Sequence, residues 1–305
     1  KLRALKGKGE GDGSRGRIGI PFGLNMYENL PFWFAFFTRL NFEVVLSPES
    51  SRKLYLKGQH TDLKQFYTMM REGKVITTSL PNLKDSRELL EGLLASGQDV
   101  LYIGFSSGLS GTYQAIDLLL AELADAYPDR TVLAVDTLAA SMGEGLLVWY
   151  AAKMREEGAS ITEVRDWLEA NKLHLAHWFT VDDLNHLKRG GRVSGAAAFF
   201  GTMLNIKPVL HVDDAGHLIP MEKVRGRKAS LDALVAHMEK DAVDPASQTV
   251  FISHGDCRAD AEYVADLVRE KFGTQDIRIH SIGPVIGSHS GPGTVALFYL
   301  GRTRG

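Results

Sequence analysis

Residues 99–112 read DVLYIGFSSGLSGT. The apolar stretch 99–105 is short, rich in β-branched and aromatic side chains, and closed by glycine, which predicts a buried strand. Glycines at 104, 108 and 111 then break the chain, and a helical pattern begins at 113. Strand, Gly-rich loop and helix in that order form the unit from which parallel α/β folds are built. Such a loop aims free backbone N–H groups and the positive end of a helix dipole at one point. Three glycines let an anion approach the backbone, and Ser106, Ser107 and Ser110 add hydroxyl donors, so the segment predicts an anion site. No Gly-Lys-Ser/Thr ending follows, which excludes a nucleotide P-loop. A local alternative is plain N-capping of the next helix by Ser110 or Thr112.

The same alternation extends outward in both directions. Strands are expected at 17–21, 42–46, 99–105 and 131–135, and helices at 28–40, 63–71, 86–96, 113–126, 143–158 and 161–172. Pro31 falls in the first turn of its helix, where a missing N–H costs nothing. Beyond about residue 174 the pattern changes. Strands at 175–181, 208–212 and 218–224 suggest a separate sheet, followed by a helix at 231–240, a strand at 249–254, a helix at 258–272, and strands at 277–282 and 293–300. The expected fold is α/β in two domains: a parallel sheet domain over 17–174 and a mixed α/β domain over 175–305. Residues 1–16, KLRALKGKGEGDGSRG, are too polar and Gly-rich to pack and read as a disordered leader.

The chain has 305 residues, a formal net charge of -2 and 44% hydrophobic residues, values of an ordinary globular protein with no basic excess for nucleic acid. A single cysteine, Cys257, excludes an internal disulfide framework and cysteine-rich zinc or iron–sulfur sites. No apolar run reaches the roughly 18 residues of a membrane span. These features predict a cytoplasmic protein with no cofactor and no metal.

Several segments carry chemistry. Residues 104–108, GFSSG, match G-x-S-x-G, the nucleophile elbow of α/β-hydrolases, which makes Ser106 a candidate nucleophile with Asp256 and His289 downstream. Against that, the loop runs on through Leu109, Ser110 and Gly111 before the helix starts. Residues 287–293, GSHSGPG, place His289 among glycines and a proline. The expected backbone is a series of turns with the ring presented rather than packed, able to hold a carboxylate. Residues 188–192 (KRGGR) and 223–228 (KVRGRK) are basic clusters. Arg192 and Arg225 adjoin glycine and suit oxyanions, while Lys188, Arg189 and Lys228 read as a solvated face. Residues 196–204, AAAFFGTML, are apolar all round, as in a core or pocket wall.

Eight stretches in order, ITTSLPN, FSSGLSGTYQA, VDTLAASMGEGLLV, FTVDDLNHLKRGGRVSG, LNIKPVL, KVRGRKASL, SHGD and IGPVIGSHSGPG, resemble DegV-family proteins over about residues 57–301. The resemblance implies a two-domain DegV-like α/β fold that binds one long-chain fatty acid. It implies a carboxylate held by Thr78, Ser110 and His289, with Ser107 and Gly111 of the same Gly-rich loop in the ligand-binding set. It further implies a binding subunit, without chemistry of its own, that presents the acyl chain to an ATP-dependent fatty acid kinase subunit for acyl-phosphate formation. Arg192 and Arg225 are then implicated in phosphate contact or docking, and transient membrane contact is compatible with this role. The opening differs: residues 17–58 lack the family's Asp-Ser turn and resemble instead the strand–helix–strand start of 2-hydroxyacyl-CoA dehydratase and activator proteins, without their cysteines. They are expected to supply the first two strands of the first domain's sheet.

Overall fold

The computed structural model describes residues 17–20, 43–46, 62–193 and 205–305. The expectations for 1–16, for a helix at 28–40 and for 196–204 lie outside these residues. Strands β1 (Arg17–Ile20) and β2 (Glu43–Leu46) pair in parallel, with Arg17 opposite Glu43. Parallel neighbours require a crossover between them, as a βαβ opening does. Within the described residues this pair is a sheet of its own, hydrogen-bonded neither to β3 (Val100–Gly104) nor to β4 (Val132–Asp136). The expected continuous first-domain sheet is corrected on that point: apolar alternation reveals strands but not their neighbours.

Among the described residues, five layers of secondary structure stack on one another. Outermost lie α2 (Leu83–Ala95) and α3 (Thr112–Ala126), whose Leu94, Ile116, Leu119 and Leu123 cover one face of the parallel β3–β4 pair. The other face of that pair, through Leu101 and Ile103, meets α4 (Met142–Glu156), flanked by α5 (Ile161–Asn171). Helix α4 is therefore covered on opposite sides, which is why GLLVWYAA reads as apolar all round. Its Leu146 and Leu147 are fully buried. Helix α5 starts on a capping box, with Ser160 and Glu163 each satisfying the other's backbone N–H.

The fourth layer is a six-stranded sheet in the order β7-β6-β5-β10-β8-β9, comprising β5 (Leu175–Thr180), β6 (Ile206–Val212), β7 (Leu218–Arg225), β8 (Val250–His254), β9 (Ile277–Ser281) and β10 (Val295–Leu300). Within it only β8 and β9 are parallel; the other pairs are antiparallel. Strand β5 is buried on both faces. Leu175 and Phe179 join the α4 core, and Ala176 and Trp178 join a second core under α7 (Arg227–Asp241) and α8 (Arg258–Phe272). Each large apolar side chain so buried contributes roughly 1.5–3 kcal/mol.

Three shorter helices frame the region of interest. They are α1 (Leu63–Arg71), capped by Asp62, then α6 (Asn185–Arg189), and α9 (Pro284–Ser290). The expectation that residues 287–293 run entirely in turns is corrected here, because His289 lies in the last turn of α9. The helix begins at Pro284, whose fixed φ suits a first helical turn. The helical cost of Gly287 is offset by close packing, since a Cβ there would lie 2.6 Å from the Tyr67 hydroxyl and 2.9 Å from the Phe66 ring.

Candidate functional site

Helix α1, the irregular segment from Lys74 to Thr78, helix α6 and helix α9 surround a cleft of about 240 Å³. Helix α1 is anchored at two points along its length. The Tyr67 hydroxyl donates to the Ile282 carbonyl (2.7 Å), and Arg71 pairs with Asp256 (2.5 Å). Thr78 and His289 both line the cleft, and their Oγ1 and Nε2 are 2.8 Å apart although 211 positions separate them in sequence. Gly190 permits this placement of the ring, because a Cβ there would come within 2.5 Å of His289 Nδ1.

The electrostatics favour an anion. Lys74, Arg189 and Arg192 line the cleft, and among the described residues no Asp or Glu does so. Burial first, and the Arg192 guanidinium second, hold His289 below the usual histidine range. The imidazole is thus neutral near pH 7, with one N–H to donate and one lone pair to accept. His186, lowered by burial and by Arg189, accepts at Nδ1 from Arg189 Nη2 (2.8 Å). That bond places its remaining proton on Nε2. Cys257 lies apart from this chemistry, its thiol pushed up to about 12 chiefly by burial. Among the described residues no group of His, Cys, Asp or Glu gathers as a metal site.

The Gly-rich loop stands beside the cleft rather than in its wall. Ser110 Oγ lies 2.9 Å from Thr112 Oγ1 and accepts from the Thr112 N–H (3.2 Å), while Gly111 occupies the N-cap position of α3. The cap of α3 is thus neither Ser110 nor Thr112, although Ser110 does accept from the first N–H of the helix. The Ser107 N–H donates to Asp136 (3.2 Å). Arg192 joins loop and cleft: its Nε donates to the Leu109 carbonyl (3.3 Å), its guanidinium also reaches the Gly190 carbonyl, and it lines the cleft near His289. Arg225 stands at the end of β7, opposite Ile206, and is not among the cleft residues.

Sequence reasoning missed Met70, His186 and Ser288 as lining residues, and it read Arg189 as solvated, which it is, without placing it at the cleft. The signal for Arg189 was present in the Gly-Gly pair that follows it, since paired glycines mark a close backbone approach. The nucleophile reading of Ser106 fails on geometry. Ser106 is fully buried, and its hydroxyl donates to the Gly216 carbonyl (2.8 Å) and accepts from the Gly108 N–H (3.2 Å). The histidine and the acid it needs are engaged elsewhere, His289 with Thr78 and Asp256 with Arg71.

Comparison with known proteins bears on this geometry. A family model whose description is "Uncharacterised protein, DegV family" matches residues 42–302. This chain belongs to the DegV family. A DegV domain-containing protein of Clostridium perfringens is 50% identical over 241 residues, covering 79% of this chain and 83% of that one. Among solved structures, a DegV-family protein from Thermus thermophilus, whose structure concerns fatty acid binding, matches with TM-score 0.74 at 27% identity. The match covers 93% of this chain and 99% of that one. A DegV lipid-binding protein from Thermotoga maritima matches with TM-score 0.73 at 28% identity, over 95% and 99% of the two chains. A second model, "CoA enzyme activase uncharacterised domain", matches residues 17–65. The DegV match and the activase match thus overlap at β2, and the opening of this DegV protein is similar to the second model. Among the described residues no helix is long and apolar enough to cross a membrane.

Proposed function

We propose that this protein binds one long-chain fatty acid, with the carboxylate received at Thr78 and His289 and the adjoining Arg192 supplying positive charge. The observation that carries the reading is the 2.8 Å contact between Thr78 and His289, in a cleft whose described lining holds three basic residues and no acid. Removing a carboxylate from water without partners costs several kcal/mol, and charge-assisted hydrogen bonds of roughly 1.5–3 kcal/mol each offset it. Fatty acid or lipid binding by the related Thermus and Thermotoga proteins supports the ligand class. Ser110, with Ser107 and Gly111, enters as the second donor group, reached by way of Arg192. The acyl chain follows the apolar residues of the interior.

The protein acts in this reading as a binding subunit that presents the carboxylate to an ATP-dependent fatty acid kinase subunit. Arg192, beside the carboxylate, and Arg225, at the end of β7, serve phosphate contact or docking. The functional division of the chain falls near residue 174, where the six-stranded sheet begins with Leu175. Mass spectrometry of lipid extracted from purified protein is expected to show one fatty acid per chain. Fluorescent fatty-acid titration is expected to show Thr78→Val weakened about tenfold, the equivalent of one lost charge-assisted bond. Purified protein free of fatty acid, together with unchanged affinity in Thr78→Val, overturns the reading.

A further inference from the structure

Arg304 follows the last strand and is only 3% exposed, yet no carboxylate neutralises it by direct contact among its hydrogen bonds. Every one of those bonds goes to a backbone carbonyl. Nη1 donates to Leu138 (2.6 Å) and Asp213 (3.0 Å), and Nη2 donates to Thr137 (3.2 Å) and Lys172 (2.7 Å). Three segments far apart in sequence are thereby tied to one side chain: the turn after β4, the turn entering β5, and the β6–β7 turn. Burying a guanidinium is costly unless acceptors meet its donors, and burial lowers its pKa to about 10, which leaves it charged at neutral pH.

Two of those three segments are the ones that grip the Gly-rich loop. From the turn after β4, the Ala139 carbonyl accepts from the Ser106 N–H (2.9 Å), and the Thr137 N–H and hydroxyl both donate to the Gly104 carbonyl (3.1 and 2.7 Å). From the β6–β7 turn, the Gly216 carbonyl accepts from the Ser106 hydroxyl (2.8 Å), and Ala215 and Gly216 pack so closely that a Cβ on Gly108 would lie 2.6 Å from the Ala215 carbonyl. The turn after β4 is itself held in an uncommon conformation, with Leu138 at φ 51°. A non-glycine residue there persists only when its surroundings over-determine it, and Arg304 bonds to the carbonyl of that residue.

We infer that Arg304 is a positioning residue: by fixing the 137–139 and 213–216 turns it sets the shape of the 106–110 loop, and through that loop the selectivity of the site for a charged carboxylate head. This rests on the proposed fatty-acid reading. A guanidinium is suited to the task because its rigid fork addresses several acceptors at once, which a lysine ammonium cannot do with the same geometry.

The test compares oleate with oleyl alcohol, which shares the chain and lacks the charge, in fluorescence displacement titrations on the delipidated protein. The parent protein is expected to prefer oleate at least tenfold. Arg304→Met is expected to lose at least fivefold in oleate affinity while alcohol affinity stays within twofold, and Arg304→Lys to recover only part of the preference. Ser106→Ala, which cuts the same connection at its far end, is expected to show the same selective loss, and it decides the question by the same criterion if Arg304→Met does not fold. Equal loss of both ligands, or an unchanged preference, overturns the inference and leaves Arg304 a stabilising residue only. Absence of any oleate preference in the parent protein instead removes the carboxylate reading, and the positioning role falls with it.

Discussion

At the scale of single residues, His289 has a consequence that depends on pH. In the free protein its pKa is held down, first by burial and then by Arg192. A bound carboxylate beside the ring favours the imidazolium and raises that pKa. Binding therefore takes up a proton wherever the pH lies between the free and bound values. Affinity is expected to rise as pH falls through the ordinary histidine value of about 6.5 towards the lowered free value, while the fatty acid stays ionised. Fatty-acid titrations at several pH values check this, and His289→Gln is expected to flatten the profile. A flat profile in the unsubstituted protein would show that the ring does not face the carboxylate. The type of residue needed for this chemistry was legible in GSHSGPG, whereas its partner Thr78 came from the family resemblance alone. Nothing local links Thr78 to a histidine 211 positions away.

At the scale of elements, α1 and α9 form one device. Tyr67 is fully buried and bonds across to Ile282, and the absent side chain of Gly287 lets the two helices meet. Gly287→Ala forces Tyr67 or the backbone of α9 to move, at an expected cost of about 1–3 kcal/mol by overpacking. Because α9 carries His289, fatty-acid affinity should fall as well. Urea unfolding and ligand titration on the same variant check both effects, and an unchanged midpoint would mean the interface has slack that the distances deny. Periodicity locates the longer helices within a few residues but passes over α6 and α9. Each spans fewer than eight residues, too short for a 3.6-residue repeat to show, and α9 contains a glycine.

At the scale of the whole molecule, α4 links the β3–β4 pair to the six-stranded sheet. Leu147→Ala removes a fully buried side chain from that junction and is expected to cost about 2–5 kcal/mol, whereas Leu118→Ala, at a position 69% exposed, should change stability little. Chemical denaturation of both variants provides the measurement. Acid stability follows from the histidines. Among the described residues seven of them, at 177, 186, 211, 237, 254, 280 and 289, have folded pKa values below the ordinary one, each chiefly through burial. Below about 6.5 the unfolded chain binds protons that the folded chain refuses, so stability falls as pH falls. Glu144 acts oppositely. Burial, then Asp136, pushes it up to about 8, so the folded state keeps a proton that the unfolded state releases above its ordinary value. One such carboxyl against seven histidines leaves the net slope to the histidines. Urea midpoints are expected to drop between about pH 7.5 and 5.5, and a rise over that interval contradicts the assignment.

The sequence by itself determined the α/β class, the identity of most strands and helices, and the residue types of the candidate site. Each of these is written in local patterns: apolar runs of strand length, helical repeats, and glycines beside hydroxyls. The family resemblance set Thr78 and His289 on one carboxylate, but only the tertiary structure decided that the two side chains touch, that Ser106 is sealed against Gly216, and that the exposed Arg189 borders a cleft. It also decided that Arg304 gathers three turns around one guanidinium. These outcomes depend on which loops the sheet order and the α4 junction bring together. Contacts between segments so far apart along the chain are fixed by packing of the whole core and leave no periodic trace in the sequence.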